Sequence, residues 1–264
     1  MSEEIVLLEV DSDGVAHVTL NRPEVHNAFD EHVIARLSEI WDELAVNDAV
    51  KAVVLRGKGK SFSAGADLGW MKRAADFSEA QNTDDALKLA TMLKKFYELP
   101  KLTIAVVLGA AMGGGLGLVS CADVVIADEG AKFALSEVKI GLIPATISPY
   151  VIRAMGQRHA KRYFQTGERF DGKRGYEIGL VHEYADRPED VEYLIGLVLK
   201  NVKGNGPKAM AASKQLFLDV EGREITDPLL VETAKRIAQT RAGDEAKEGL
   251  DAFLNKRKPS WIQE

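Results

Sequence analysis

Two stretches of this sequence can do chemistry with their backbones. The first, "AAMGGGLGL" at 110–118, places Gly113, Gly114 and Gly115 between a strand-like run and a helix-like one. The opening N–H groups of a helix have no partner within it and sit at the positive end of its dipole. Glycine lets the backbone approach a ligand closely and adopt unusual dihedrals. Such a junction suits an oxygen that carries negative charge; tight packing of helix on strand, with no ligand, would use the same glycines. The second stretch, "SFSAGADL" at 61–68, also follows an apolar strand, and its Ala-Gly-Ala run leaves N–H groups without bulky cover. Loops after consecutive parallel strands lie on one carboxyl edge of a sheet, where α/β proteins bind ligands. Two N–H groups converging there would form an oxyanion hole. A fourth glycine, Gly117, stands where a helix former would be more favourable by about 1 kcal/mol.

The elements that must position these loops follow from hydrophobic pattern. "EIVLLEV" and "VAHVTL" alternate around Asp13-Gly14 and read as a β-hairpin. "NRPEVHNAF" reads as a loop, after which Asp30 caps a helix with Val33, Ile34, Leu37, Ile40, Trp41 and Leu44 on its apolar face. "AVVLRG", "LTIAVVLG" and "ADVVIAD" are apolar runs of the buried-strand type. "GKGKSFSAGADLG" reads as a long loop, and residues 78–97 show helical spacing through Ala86, Leu89, Ala90, Leu93 and Phe96. From about residue 156 the strand signal disappears, and 157–165, 171–179, 189–202, 207–218, 229–241 and 244–255 all read helical. The pattern predicts an α/β core over 1–190 and a helical region over 191–264, whose apolar faces must pack on the same chain or on a neighbouring subunit. No solenoid-length repeat or low-complexity segment interrupts it.

Composition narrows the function. With 264 residues, 46% of them hydrophobic, the chain can bury a sizeable core. A net charge of −6 argues against a broad nucleic-acid surface. There is no apolar run of membrane-spanning length, and "MSEEIVLLEV" lacks the basic start of a signal peptide, so cytoplasm is the expected compartment. The single cysteine, Cys121, fits a reducing compartment and reads as a core residue. The five histidines (17, 26, 32, 159 and 182) show no ligand spacing, so no metal is expected. Neither GxGxxG nor GxxxxGK[ST] occurs, which leaves no Rossmann or P-loop signature.

Six segments in order, "NRPEVHNAF", "GKSFSAGADL", "GAAMGGGLGL", "CADVVIA", "AKFALSEVKIGLIP" and "EGLDAFLNKRKPSW", resemble the enoyl-CoA hydratase/isomerase (crotonase) superfamily. The resemblance implies an α/β spiral of ββα units followed by C-terminal helices that build homotrimers, commonly paired into homohexamers. It places the thioester-holding N–H groups on Ala66 and Gly114. Ala64, Asp67 and Leu68 would line the adenine and pantetheine path, Val25 and Ala28 would touch the CoA from the other side, and Lys256 would approach a CoA phosphate. The partner implied is an acyl-CoA thioester, with CoA part of the substrate and no further cofactor.

Hydratases of this family usually carry two glutamates. "FALSE" matches one and assigns it to Glu137, among Phe133, Leu135, Val138 and Ile140; the position of the other is Gly117. Apolar surroundings raise a carboxyl pKa toward neutrality, although a glutamate in a surface loop would show the same local pattern. The glycine is expected to free volume beside the substrate's β-carbon. A single base suits double-bond migration, and it can also serve hydration by taking a proton from water and returning it to C2. "ADLGWMKRAADFSEAQNTDDALKLA" and "GLIPATISPYVIRAMGQRHAKRYFQTGERF" further resemble bacterial methylglutaconyl-CoA hydratases. That resemblance implies a β-branched substrate with a distal carboxylate, which Lys72 or Arg73 could pair, with Trp70 a candidate wall of the acyl pocket. An enoyl-CoA isomerase, a general short-chain hydratase and a non-catalytic acyl-CoA binder are the competing readings.

Overall fold

The computed structural model describes residues 4–262. Val6–Val10 (β1) and Val15–Leu20 (β2) pair antiparallel, turning through Gly14 at φ 79°. After a 3-10 turn at Pro23–Val25, the Asp30 carboxylate accepts from the N–H groups of His32 and Val33 and starts Glu31–Val46 (α1). This helix buries the six residues its spacing predicts, and Trp41 stacks on Phe96 at 4.5 Å.

Three ββα turns follow. The first comprises Ala52–Gly57 (β3), Ser61–Ser63 (β4), Leu68–Ala74 (α2) and Glu79–Tyr97 (α3). The second comprises Leu102–Val107 (β5), Ala110–Met112 (β6) and Gly114–Ser120 (α4). The third comprises Val124–Asp128 (β7), Lys132–Ala134 (β8) and, after a 3-10 turn at Glu137–Ile140, Ser148–Thr166 (α5). Phe170–Asp171 (β9), Gly172–Glu177 (α6), Glu183–Ala185 (β10), Val191–Lys203 (α7), Pro207–Val220 (α8), Asp227–Ala242 (α9) and Asp244–Leu254 (α10) complete the chain. One sheet runs β1-β2-β3-β5-β7-β10, the other β4-β6-β8-β9. In each turn one strand joins the first sheet and the next strand joins the second, and both stacks are parallel. Because β3, β5 and β7 begin at unevenly spaced residues, the repeat exists in the backbone without a sequence period.

Several short elements differ from the pattern-based expectation. The stretch read as one loop, 57–69, contains β4 and the start of α2. Strands β9 and β10 lie beyond residue 156, and two or three residues are too few to show an alternation. The helix expected at 157–165 begins at Ser148 and is broken at Gly156, whose φ of 76° is not helical.

The structure forms two compact units that divide after Leu197, inside α7, rather than at 190. The first contains both sheets. In the second, α10 packs on α8 and α9, and the indole N–H of Trp261 donates to the Gly204 carbonyl at 3.2 Å. This unit exposes Phe217, Ile225, Leu250, Phe253 and Leu254. Among the described residues no helix is long and apolar enough to cross a membrane.

Candidate active site

The second sheet brings the two backbone loops together. Strands β6 and β8 pair with Met112 opposite Ala134, and the Gly113 N–H extends the ladder by donating to the Ala134 carbonyl at 2.9 Å. That register carries Leu135, Ser136 and Glu137 alongside the glycine turn. Gly113 has φ 48° and ψ −117°, a conformation closed to side chains of L-residues, and a Cβ there would stand 3.0 Å from Glu137 Oε1. Gly65, at φ 89°, approaches from the other loop: a Cβ on it would lie 2.8 Å from the Met112 carbonyl oxygen and 3.7 Å from the Gly114 nitrogen. The loop at 64–66 and the turn at 113–115 therefore meet.

Peptide planarity then sets where their N–H groups point, because the C=O and N–H of one trans peptide face opposite ways. The Gly65 carbonyl accepts from the Phe29 N–H at 2.7 Å, so the Ala66 N–H of that peptide points away from Phe29. The Asp67 N–H donates back to the Phe29 carbonyl at 2.8 Å and completes the parallel bridge. The Gly113 carbonyl accepts from the Gly117 N–H at 3.0 Å, so the Gly114 N–H points out of the first turn of α4. Among the described residues, no hydrogen bond engages either the Ala66 or the Gly114 N–H.

Glu137 opens its 3-10 turn half-buried, behind the fully buried Phe133 and Leu135, whereas Ile140 is exposed. Its Oε2 is buried without a hydrogen-bond partner. Burial pushes the carboxyl above the usual range, opposed only by its own backbone N–H. A carboxyl so placed favours its protonated form and is suited to passing a proton to and from a substrate.

Gly117 has a different meaning from the one expected. It frees no volume: a Cβ there would lie 2.1 Å from Cγ2 and 2.6 Å from Cβ of Ile147, which is buried. Ile147 precedes α5 and fills the space beside α4 with hydrocarbon, so a side chain at 117 requires its displacement. No local signal marks Ile147, because its contact partner is thirty residues away in the chain.

The remaining candidates divide by unit. Ala64, Ala66 and Leu68 are exposed beside the site, Val25 is half-buried and Ala28 buried. Asp67 is engaged within the protein: Oδ1 caps α2 by accepting from Gly69 and Trp70, and Oδ2 pairs with Arg22 at 3.3 Å. Arg73 is held by both oxygens of Glu31 at 2.7 and 2.8 Å, whereas no ion pair among the described residues involves the exposed Lys72. Half-buried Trp70 packs on the core and lines a cavity of about 340 Å³ with Glu31, Arg73 and Phe77. Cys121 is buried, as a core residue should be. Lys256 lies in the second unit at φ 53°, just before Arg257, whose guanidinium pairs with Glu248 and Asp251. No cluster of metal-ligating side chains occurs among the described residues.

A spiral of ββα turns that sets a glycine turn and an Ala-Gly-Ala loop beside one half-buried carboxylate is the architecture of the crotonase fold. The profile of the enoyl-CoA hydratase/isomerase family matches residues 11–264, and the chain belongs to that family. A crystal structure of an enoyl-CoA hydratase from Shewanella pealeana superposes with a TM-score of 0.94 at 42% identity, covering 98% of this chain and 97% of that one. A Thermus thermophilus relative named for enoyl-CoA hydratase is 34% identical over 255 residues, 97% of this chain and 100% of its own. The trans-2-decenoyl-acyl-carrier-protein isomerase of Streptococcus mutans is 29% identical over 263 residues, 97% of each chain. The family resemblance read from six motifs thus holds over the whole match, and its members carry both hydratase and isomerase names.

Proposed function

We propose that the protein hydrates a β-branched 2-enoyl-CoA with a distal carboxylate, 3-methylglutaconyl-CoA or a close relative, using Glu137 as its single proton-transfer group. The observation that carries this reading is the buried, unpartnered Oε2 of Glu137 beside the glycine turn. In the reaction, the thioester oxygen accepts from the Ala66 and Gly114 N–H groups. Ionised Glu137 takes a proton from water as the water oxygen bonds to C3. The C2–C3 π pair moves toward the thioester and leaves an enolate on that oxygen. Protonated Glu137 then gives its proton to C2, and one water has been added. Donors that grip the enolate more strongly than the starting carbonyl lower the barrier.

The branched acyl chain is supported by the two long segments that resemble methylglutaconyl-CoA hydratases. Of the two cations considered for the distal carboxylate, Lys72 is the better suited, since Glu31 already holds Arg73. Val25, Ala28, Ala64, Asp67 and Leu68 would line the CoA path, Asp67 through its backbone, and Lys256 would meet a phosphate. CoA arrives as part of the substrate and no other cofactor is required. The exposed apolar side chains of the second unit support assembly into a homotrimer or homohexamer. The site is proposed to work in the cytoplasm without nucleic-acid or membrane partners.

One observation favours a second reading. Ile147 fills the space beside Gly117, so Glu137 stands without a second acid there, and one acid suffices to move a proton between C4 and C2. Incubation with 3-methylglutaconyl-CoA, crotonyl-CoA and a β,γ-enoyl-CoA, read by mass spectrometry beside Glu137→Gln, separates the two. Gain of one water on the branched substrate, lost in the variant, is expected. Migration of the double bond with no mass change would replace hydratase by isomerase.

A further inference from the structure

Ser63 has no role in the reaction just described, yet it lies between the two halves of the site. It ends β4 and is fully buried. Its hydroxyl donates to the Asn27 carbonyl at 2.8 Å and accepts from the Gly65 N–H at 3.2 Å. On its other side it meets the glycine turn: a Cβ on Gly115 would come within 2.8 Å of both Ser63 Cβ and the Ser63 carbonyl oxygen. One residue therefore ties Gly65, whose carbonyl is one end of the Ala66 peptide, and supports the residue that follows Gly114.

Asn27 makes the tie rigid. It is buried, sits at φ 54°, and its side-chain amide donates to the carbonyls of Lys58 and Ser61 at 2.9 and 2.8 Å. Its Oδ1 accepts from the Arg22 N–H at 2.9 Å. Ser63 thus links a braced loop to the Gly65 N–H through its hydroxyl and meets the start of α4 through its Cβ and carbonyl oxygen. Gly65 has no side chain and a positive φ, and of its two backbone groups Phe29 holds the carbonyl while the Ser63 hydroxyl holds the N–H.

We propose that Ser63 is a positioning residue for the oxyanion hole: its hydroxyl anchors the Gly65 N–H, on the peptide just before the Gly65–Ala66 one, so that the Ala66 N–H and the Gly114 N–H address the same oxygen. The inference rests on the reading of those two N–H groups as the thioester-binding pair. Removing the hydroxyl leaves the fold's cross-strand pairs and the Phe29–Gly65 hydrogen bond in place but frees the Ala64–Gly65 peptide that leads into the donor-carrying one. Displacements of an ångström in such groups cost up to two orders of magnitude in rate, and loss of a donor weakens the transition state more than the bound substrate.

The test uses the full chain with Ser63→Ala and Ser63→Cys. Ser63→Ala is expected to lower kcat about tenfold with KM within about twofold, and Ser63→Cys, which keeps a weak donor and acceptor, to fall between it and the parent. The direct readout is the infrared stretch of the 13C-labelled thioester carbonyl of bound crotonyl-CoA, in a Glu137→Gln background that prevents turnover. The parent background should shift the band to lower frequency relative to free thioester, and adding Ser63→Ala should return part of that shift. An unchanged band in both Ser63 variants would overturn the positioning role. No shift even with Ser63 intact would overturn the oxyanion reading beneath it.

Discussion

Gly117→Ala tests the packing that distinguishes this site. In an ordinary helix interior the change stabilises by about 1 kcal/mol, because alanine loses less backbone entropy. Here the new methyl would stand 2.1 Å from Ile147 Cγ2 and 2.6 Å from Ile147 Cβ, against the ~3.5–4.0 Å at which carbon atoms attract. Turning the Ile147 side chain moves Cγ2 but leaves Cβ in place, so the start of α5 or the whole of α4 must shift. Overpacking of this kind costs about 1–3 kcal/mol and occasionally more. Taking the upper end and subtracting the helix-propensity gain predicts a net loss of about 2 kcal/mol. With a urea slope of about 2 kcal/mol/M, the unfolding midpoint falls by about 1 M at fixed protein concentration. Ile147→Ala should relieve the clash only in part, because its Cβ remains, and Ile147→Gly should relieve it fully. A Gly117→Ala protein as stable as the parent, or one whose loss is unchanged in the Ile147→Gly background, would refute the reasoning.

Three further outcomes follow from the site and the sheet edge. Glu137→Gln should cost at least 100-fold in turnover; because burial raises the native carboxyl pKa, its ionised form destabilises the fold. The variant should therefore gain stability over the parent as pH rises above the unfolded value of 4.5 and show no gain below it, as urea unfolding at pH 4 and pH 8 can check. His182 accepts the Val125 N–H on Nδ1 at 3.0 Å and is held neutral by burial, against the opposing pull of Glu183 and Asp123. Its contribution should be complete above the unfolded pKa of 6.5 and drain away as pH falls through the lower native value, read as smaller amide protection factors along β7 and β10 at lower pH, a dependence that His182→Ala should abolish. Gly113→Ala should both strain a φ of 48° and press on Glu137 Oε1, costing about 1–3 kcal/mol of stability together with activity; full turnover in that variant would remove Glu137 from the site.

Much of the first unit can be read locally. The hairpin at Asp13-Gly14, the Asp30 cap, the six buried residues of α1 and the three apolar core strands need only short-range pattern, because each side chain's face is set by a period of two or 3.6 residues. The glycine triplet and the Ala-Gly-Ala loop are also legible, since glycine in such numbers after buried strands is costly unless the backbone must be reached. The short strands β4, β9 and β10 are not, because a strand of two or three residues exists only by virtue of its neighbour.

The site shows the same division more sharply. Residue types alone supply two sets of free backbone donors, one acid after a strand and a fourth glycine; that this glycine stands where an acid is usual is what the family resemblance implies. That Ala66 and Gly114 N–H groups face outward depends on carbonyls bonded to Phe29 and Gly117, and that Glu137 lies beside them depends on the register of β6 against β8. The meaning of Gly117 was reversed by a residue distant in sequence: what reads as spare volume is occupied by Ile147. Chemistry of individual groups is carried by the chain's letters, whereas direction, enclosure and the filling of space arise only when segments far apart in sequence are packed to near-solid density.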